Sequence, residues 1–501
     1  MAFVLSKIRR KVATLITSNA GVGRRLSLCS SSRTLEEPIP NARFLQYSSP
    51  EPRLLDHTPF LVFPQVRLST LPNGIRVVTQ AAPACSLHIA SIGIWIDAGS
   101  RFEAPGTNGT AHFLEHMIFK GTRRRTAQSL EEEIENMGAR LNAYTSREQT
   151  TFFADVQSKD IAVAVDVLAD ILQNSKFPEH AIKRERGVIL REMEEVQGQM
   201  EEVIFDHLHA AAFYKHPLGD TILGPEENIQ AISRVDLKKY ISSHYTGPRM
   251  VVSAAGAVKH DEVVNLVRNL FTNLSRDPTM AGQLVMAKPA IFTACEVRVK
   301  NDAMQQIHLA VSFKGASWTD SNSIPLMVIQ TLLGSWNKTA GVGNCSGSAL
   351  ARRVSTEGLA ESVMAFNTNY CDTGLFGVYC TATPGRLHEL SCVLMQEIRG
   401  LASQVSEIEV IRAKNQLKSC LLLHIDGSTA VAENNGRQML TYGRVIPFQE
   451  LFARIDAVDA ATVKHIARKF IIDQDVAVAA IGPVEGLPER GWFQSQVRAE
   501  R

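Results

Sequence analysis

The chain has 501 residues, 45% of them hydrophobic, with 53 basic and 51 acidic side chains and a formal net charge of +2 at pH 7. That length exceeds what one hydrophobic core supports, so roughly two to four domains are expected, and the absence of any run of about eighteen apolar residues excludes a transmembrane helix. Eight cysteines without a CxxC pair exclude a disulfide scaffold or a thiolate zinc site, and the near balance of charge leaves no basic face for nucleic acid.

Read in chain order, the N-terminus comes first. Through Arg33 it carries seven Lys or Arg residues, abundant Ser and Thr, and no acid before Glu36. Together with the amphipathic stretch FVLSKIRRKVATLI this pattern describes a mitochondrial transit peptide, and residues 1–50 are assigned to it and a short leader. The expected location is therefore the mitochondrion, in the matrix or on the matrix face of the inner membrane.

After Pro50 the pattern becomes regular. VRLSTLPNGIRVVTQ (66–80) alternates around a Pro-Asn-Gly turn and predicts a β-hairpin. SLHIASIGIWIDAGS (86–100) alternates as a strand, and AHFLEHMIFKG has helical length and spacing. SLEEEIENMG (129–138) predicts a helix stopped by Gly138, followed by the strands ARLNAYTS and QTTFFADV. Two longer helices are expected over 160–174 and over 178 to about 214. Strands with helices packed on them define an α+β fold, with mostly antiparallel sheets.

The pattern then recurs. QQIHLAVSFKGASW (305–318) repeats the strand at 86–100, SIPLMVIQTLLGSW falls where TAHFLEHMIFKGT fell, and the course of 355–382 follows that of ENMGARLNAYTSREQTTFFADV. A period this long means two tandem homologous domains. The expected division is an N-terminal domain over 60–275, a Pro- and Gly-bearing linker over 276–290, a second copy over 291–485, and a tail over 486–501.

Aligning Gly121 with Gly334 sets His112, Glu115 and His116 opposite Pro325, Val328 and Ile329. One copy keeps ionisable groups where the other has hydrophobes, so the fold itself does not need them. Histidines four apart stack on one helix face, and Glu115 projects beside them. Two imidazoles suit Zn²⁺, which needs a third protein ligand when an open position is kept for water. HxxEH is the inverted zincin order, and it makes Glu115 the natural general base toward the attacking water. The third ligand has to come from elsewhere. The acidic stretch 178–213 offers Glu185, Glu192, Glu194, Glu195, Glu201 and Glu202, with Glu185 and Glu192 sharing a face, and spacing alone does not choose among them.

HFLEH followed after 75 intervening residues by the Glu192 of VILREMEEV resembles the pitrilysin-type metallopeptidases, an inverted zincin family. The resemblance extends over nearly all of the chain after the leader, through LNAYTSREQT, HPLGDTILGPEENI and YTGPRMVVSAAG. Within the family it is nearest to the branch that holds the catalytic β subunits of mitochondrial processing peptidases and the core I subunits of cytochrome bc complexes. That resemblance implies a zinc endopeptidase with His112, His116 and Glu192 as ligands to one Zn²⁺, Glu115 as base and Glu185 as an outer support for a histidine. It implies further that Glu202 and Asp206 hold the arginine of a presequence peptide. Phe119 would line the pocket for the bulky residue after the cut, and Asn142 and Tyr144 would lie on the strand that accepts substrate.

The same resemblance implies a homologous α subunit with a glycine-rich loop as partner. GSWNKTAGVGNCSGS (334–348) is shorter and more interrupted than that loop, which gives this chain the β role and low activity in isolation. The alternative is a core I scaffold among the cytochrome bc complex subunits of respiratory complex III, alone or combined with the peptidase role.

Overall fold

The computed structural model describes residues 64–81, 88–275, 277–340 and 346–499. The transit peptide expected over 1–50 lies outside the described residues, as does the middle of the glycine-bearing segment at 334–348. Twelve strands and a larger set of helices fall among them. The first six strands are β1 (Val66–Thr70), β2 (Arg76–Ala81), β3 (Ile89–Ile96), β4 (Arg140–Thr145), β5 (Thr150–Gln157) and β6 (Met250–Gly256). The second six are β7 (Glu296–Lys300), β8 (Ile307–Gly315), β9 (Ser335–Asn337), β10 (Ser362–Asn369), β11 (Gly374–Ala382) and β12 (Val476–Gly482). The helices that position the site are α1 (Thr110–Met117), α2 (Ala127–Met137), α3 (Ile161–Asn174), α4 (Glu179–Gln197) and α5 (Met200–Ala212). Later helices include α6 (Ala281–Ala287), α7 (Ser323–Leu333), α8 (Ala349–Glu357) and α9 (Ser428–Thr441). This is the α+β architecture that the alternating and helical periods predict.

The chain divides into two compact units, one formed by residues 54–297 with 418–449 and the other by 298–417 with 450–501. In the first, the strand order is β1-β2-β6-β3-β5-β4. The β1–β2 hairpin closes where expected: Gly74 N–H donates to the Leu71 carbonyl at 2.9 Å, and Gly74 takes the positive φ of 89° that a side chain would resist. β2 and β6 run parallel and the other pairs antiparallel. One face of the sheet is covered by α1, α3 and α4, whose Phe113, Leu114, Met117, Leu168, Ile171 and Ile189 are buried with Ile92 and Ile94 of β3.

The other face is covered by α9, a helix far downstream of the sheet's last strand. Ala432 and Met439 of α9 are buried with Val78, Trp95, Val251 and Ala255. Residues 418–449, expected within the second copy, therefore group with the first unit. The close approach uses Gly436, where an added Cβ would run into the Trp95 indole. Gly436→Ala is expected to cost about 1–3 kcal/mol through overpacking of a dense interior. A fall of several degrees in Tm by circular dichroism checks it.

One further expectation is corrected, and the stretch expected as linker carries a short helix. The long helix over 178 to about 214 is two helices, α4 and α5, because Gln199 adopts φ −97° and ψ 80° and breaks the ladder after Gly198. The stretch 276–290, expected as linker, contains the two-turn helix α6, with Ala281 and Val285 buried.

In the second unit the strand order is β7-β12-β8-β11-β10-β9. Five strands correspond one to one between the sheets: β2-β6-β3-β5-β4 in the first matches β7-β12-β8-β11-β10 in the second. The repeat read from the sequence is thus a repeat of topology. Helix α7 stands where α1 stands, and Pro325, Val328 and Ile329 are buried apolar core. The outermost positions differ. In the second sheet β9 pairs with Ser362, Val363 and Met364 of β10, whereas in the first β4 is the edge of the sheet.

Candidate metal centre

Helix α1 carries the HxxEH motif, and its start is fixed from outside. Its N-cap is Gly109, at φ 103°, where an added Cβ would lie 2.6 Å from the Leu223 carbonyl oxygen. A glycine offers no capping side chain, so the orphan N–H groups of the first turn need another acceptor. Glu103 supplies it. Its Oε2 accepts from Gly109 N–H at 2.9 Å and its Oε1 from Ala111 N–H at 2.6 Å, while Asn108 Nδ2 donates to Oε2 at 2.8 Å. Burial pushes the Glu103 carboxyl up to about 7, against the pull of these donors. Sequence spacing gives no sign of this residue. With Phe113, Leu114 and Met117 turned into the core, His112, Glu115 and His116 share the remaining arc.

The third group arrives on α4. Glu185, Ile189 and Glu192 recur at four and three residues, which puts them on one face, and buried Ile189 seats that face against the core. His116 Nε2 lies 3.2 Å from Glu192 Oε2 and His112 Nε2 lies 3.6 Å from Glu192 Oε1. The facing His112 and His116 rings hold the Glu192 carboxyl well below the usual carboxylate range. Burial lowers the His116 pKa, but the surrounding Glu192, Glu115 and Glu185 carboxylates outweigh it and the net shift is upward. Behind His116, the buried Glu185 places Oε2 3.7 Å from Nδ1, and Lys120 Nζ lies 3.0 Å from its other oxygen. Of the acids that spacing left open, Glu194 and Glu195 are exposed and stand outside this cluster.

Glu115 reaches across to the sheet. Its Oε2 accepts from Thr145 Oγ1 at 2.6 Å, at the end of β4. On the same strand Asn142 is exposed, and its Oδ1 accepts the N–H of Ala143 at 2.8 Å. Tyr144 is turned toward α9, where its hydroxyl donates to Glu433 at 3.4 Å, and burial pushes its pKa up to about 12. Phe119 is half-buried and meets Phe152 edge-on at 6.2 Å between ring centroids. Glu202 and Asp206 are half-buried one turn apart on α5. Asp206 Oδ1 accepts from Arg147 Nη2 at 2.7 Å, a partner that the spacing of the acids does not reveal.

Ligand atoms of His112, His116 and Glu192 all lie within 4.8 Å of one another, the one such grouping of three among the described residues. Glu192 Oε2, 3.2 Å from His116 Nε2, is buried without a well-formed hydrogen bond. Polar atoms buried without partners are rare, and two imidazoles converging on a carboxylate are the donor set that a divalent cation satisfies. The residues present fit the metal.

Two histidines and a glutamate converging beside a second carboxylate are the equipment of a metallopeptidase. The family described as Insulinase (Peptidase family M16) matches residues 76–226, and its Peptidase M16 inactive domain matches residues 231–417. The chain belongs to peptidase family M16. It is 59% identical over 455 residues to a probable mitochondrial-processing peptidase subunit beta of Arabidopsis thaliana, covering 91% of this chain and 85% of that relative. It is 49% identical over 436 residues to the mitochondrial-processing peptidase subunit beta of Bos taurus, covering 87% and 88%. Among solved structures, a chain of Complex III2 from Candida albicans superposes with a TM-score of 0.77 at 22% identity, covering 87% of this chain and all of that one. At that identity the likeness is one of fold.

Proposed function

We propose that this chain is the catalytic β subunit of a mitochondrial presequence-processing zinc endopeptidase, working with a homologous α subunit. The observation that carries the reading is the convergence of His112, His116 and Glu192 within 4.8 Å, one helix turn from Glu115 and against an open sheet edge. Identities of 59% and 49% along most of the chain to processing peptidase β subunits point the same way.

In this reading His112, His116 and Glu192 hold Zn²⁺. The metal, when bound, polarises the scissile carbonyl and acidifies a water. Glu115, anchored through Oε2 by Thr145, keeps its other oxygen to take the proton from the attacking water and pass it to the leaving amine. Glu185, itself fixed beside Lys120, orients the His116 ring from behind. The substrate adds to β4 as an extended strand, so main-chain hydrogen bonds near Asn142 supply its alignment. Glu202 and Asp206 receive the arginine that precedes the cut, since a guanidinium pairs best with carboxylates. Phe119 stands near the position of the side chain that follows it. The basic, Ser-rich N-terminal stretch and the mitochondrial-processing peptidase relatives support a mitochondrial setting, in the matrix or on the matrix face of the inner membrane.

The test is to express the chain with a homologous α subunit, load zinc, and follow an arginine-bearing presequence peptide by mass spectrometry. The expected result is one endoproteolytic cut shortly after the arginine. Zinc-loaded heterodimer that leaves the peptide intact, while the native chain is recovered only with cytochromes, would assign it the scaffold role instead.

A further inference from the structure

Asp206 is not waiting empty for a substrate. Arg147, in the turn that joins β4 to β5, donates from Nη2 to Asp206 Oδ1 at 2.7 Å and from Nε to the Leu218 carbonyl at 3.1 Å. Its main-chain carbonyl accepts from Arg101 N–H at 2.8 Å, which ties the same turn to the segment before α1. The Arg147 side chain keeps 10% of its surface exposed and that of Asp206 29%. We propose that Arg147 is a specificity-determining residue that presets Asp206 for a guanidinium and against a simple ammonium. The inference rests on the reading that Glu202 and Asp206 take the substrate's arginine.

The argument is one of geometry and charge. Taking Asp206 from the nearly buried Arg147 guanidinium leaves an uncompensated charge, so Arg147 keeps its place when substrate arrives. It engages a single oxygen of Asp206. A carboxylate has two oxygens and about four lone-pair directions, so the second oxygen still accepts. Held by Arg147, Asp206 has a fixed rotamer and part of its charge already countered. A lysine, which binds as a compact point charge, gains little from a half-neutralised carboxylate. An arginine gains from directional bonds to an acceptor that is already oriented.

Arg147 also sits two residues beyond Thr145, which anchors Glu115, and three beyond Tyr144 of the edge strand. One short stretch of chain therefore joins the edge that aligns substrate, the base, and the acid that reads its side chain. Arg147 touches neither the metal ligands nor the reacting atoms. It acts through Asp206.

The experiment measures kcat/KM of the zinc-loaded heterodimer on two presequence peptides that differ only by arginine or lysine before the cut. In Arg147→Gln the arginine-to-lysine ratio is expected to fall about tenfold, the scale at which a site loses directional recognition while keeping attraction for charge. A merely structural role lowers both values in proportion, so an unchanged or raised ratio overturns the proposal. Arg147→Lys keeps the charge but loses the fork between Leu218 and Asp206, and an intermediate ratio is expected. Should Arg147→Gln fail to fold, the lysine variant carries the test by the same criterion. Asp206→Asn separates this inference from the reading beneath it. If that variant keeps full preference for arginine over glutamine in the peptide, the reading and the proposal both fall. If it loses the preference and the Arg147 variants keep their ratio, only the role of Arg147 is overturned.

Discussion

Glu115→Gln is expected to lower kcat for presequence cleavage by about 10²–10⁴-fold, the usual weight of a positioned general base. The replacement is close to isosteric, and Thr145 Oγ1 can still donate to the amide oxygen as it now donates to Oε2. The side chain stays where it is and loses only its capacity to take a proton. His112, His116 and Glu192 are untouched, so zinc content and peptide KM should match the wild type. That split, kcat lost and binding retained, distinguishes a base from a ligand or a packing residue. Undiminished kcat in metal-replete heterodimer would remove Glu115 from the chemistry.

Glu192→Gln is expected to weaken zinc binding by at least about 100-fold, because removal of an outer-shell partner alone already costs 10–100-fold and this change removes a proposed ligand. The carboxylate is held ionised by the two facing imidazoles, which is the state a cation requires. An amide in its place offers a weaker donor and no charge. At zinc concentrations that saturate the wild type, the variant should forfeit about 2.7 kcal/mol of ligand-linked stability for each hundredfold in affinity. Zinc-dependent melting curves and metal content after dialysis check it. A variant that still carries one zinc per chain after dialysis would place the third ligand elsewhere. Glu185→Gln should show a smaller loss, since Glu185 faces His116 Nδ1 at 3.7 Å from behind the cluster.

The parts of the fold legible in the sequence were those fixed by local patterns. The Pro-Asn-Gly turn made the β1–β2 hairpin readable, and Gly138, left-handed at φ 64°, stopped α2 where expected. The HxxEH spacing placed three polar groups on one arc of α1, and the offset comparison with Pro325, Val328 and Ile329 set them apart from the fold's own needs. The boundary between α4 and α5 was hard to read because Gly198 and Gln199 interrupt the pattern without a proline, in a stretch whose acids and glutamines also suit a solvent-facing helix. Nothing local in residues 428–441 says that their apolar face covers a sheet made far upstream. The same limit hides the partners of the site. Thr145, Glu103 and Arg147 meet Glu115, α1 and Asp206 only after the chain has folded, and no spacing rule connects them.

One difference between the two sheets has a wider effect. In the second, a three-residue strand closes part of the rim, and in the first β4 is left bare among the described residues. A bare rim takes in any backbone that is extended and unpaired, whatever its sequence, and turns away backbone already satisfied within a helix or a sheet of its own. Newly imported chains meet that condition at their front ends, while the mature proteins around them do not. If substrate adds to β4 as proposed, the enzyme spares its neighbours because they are folded.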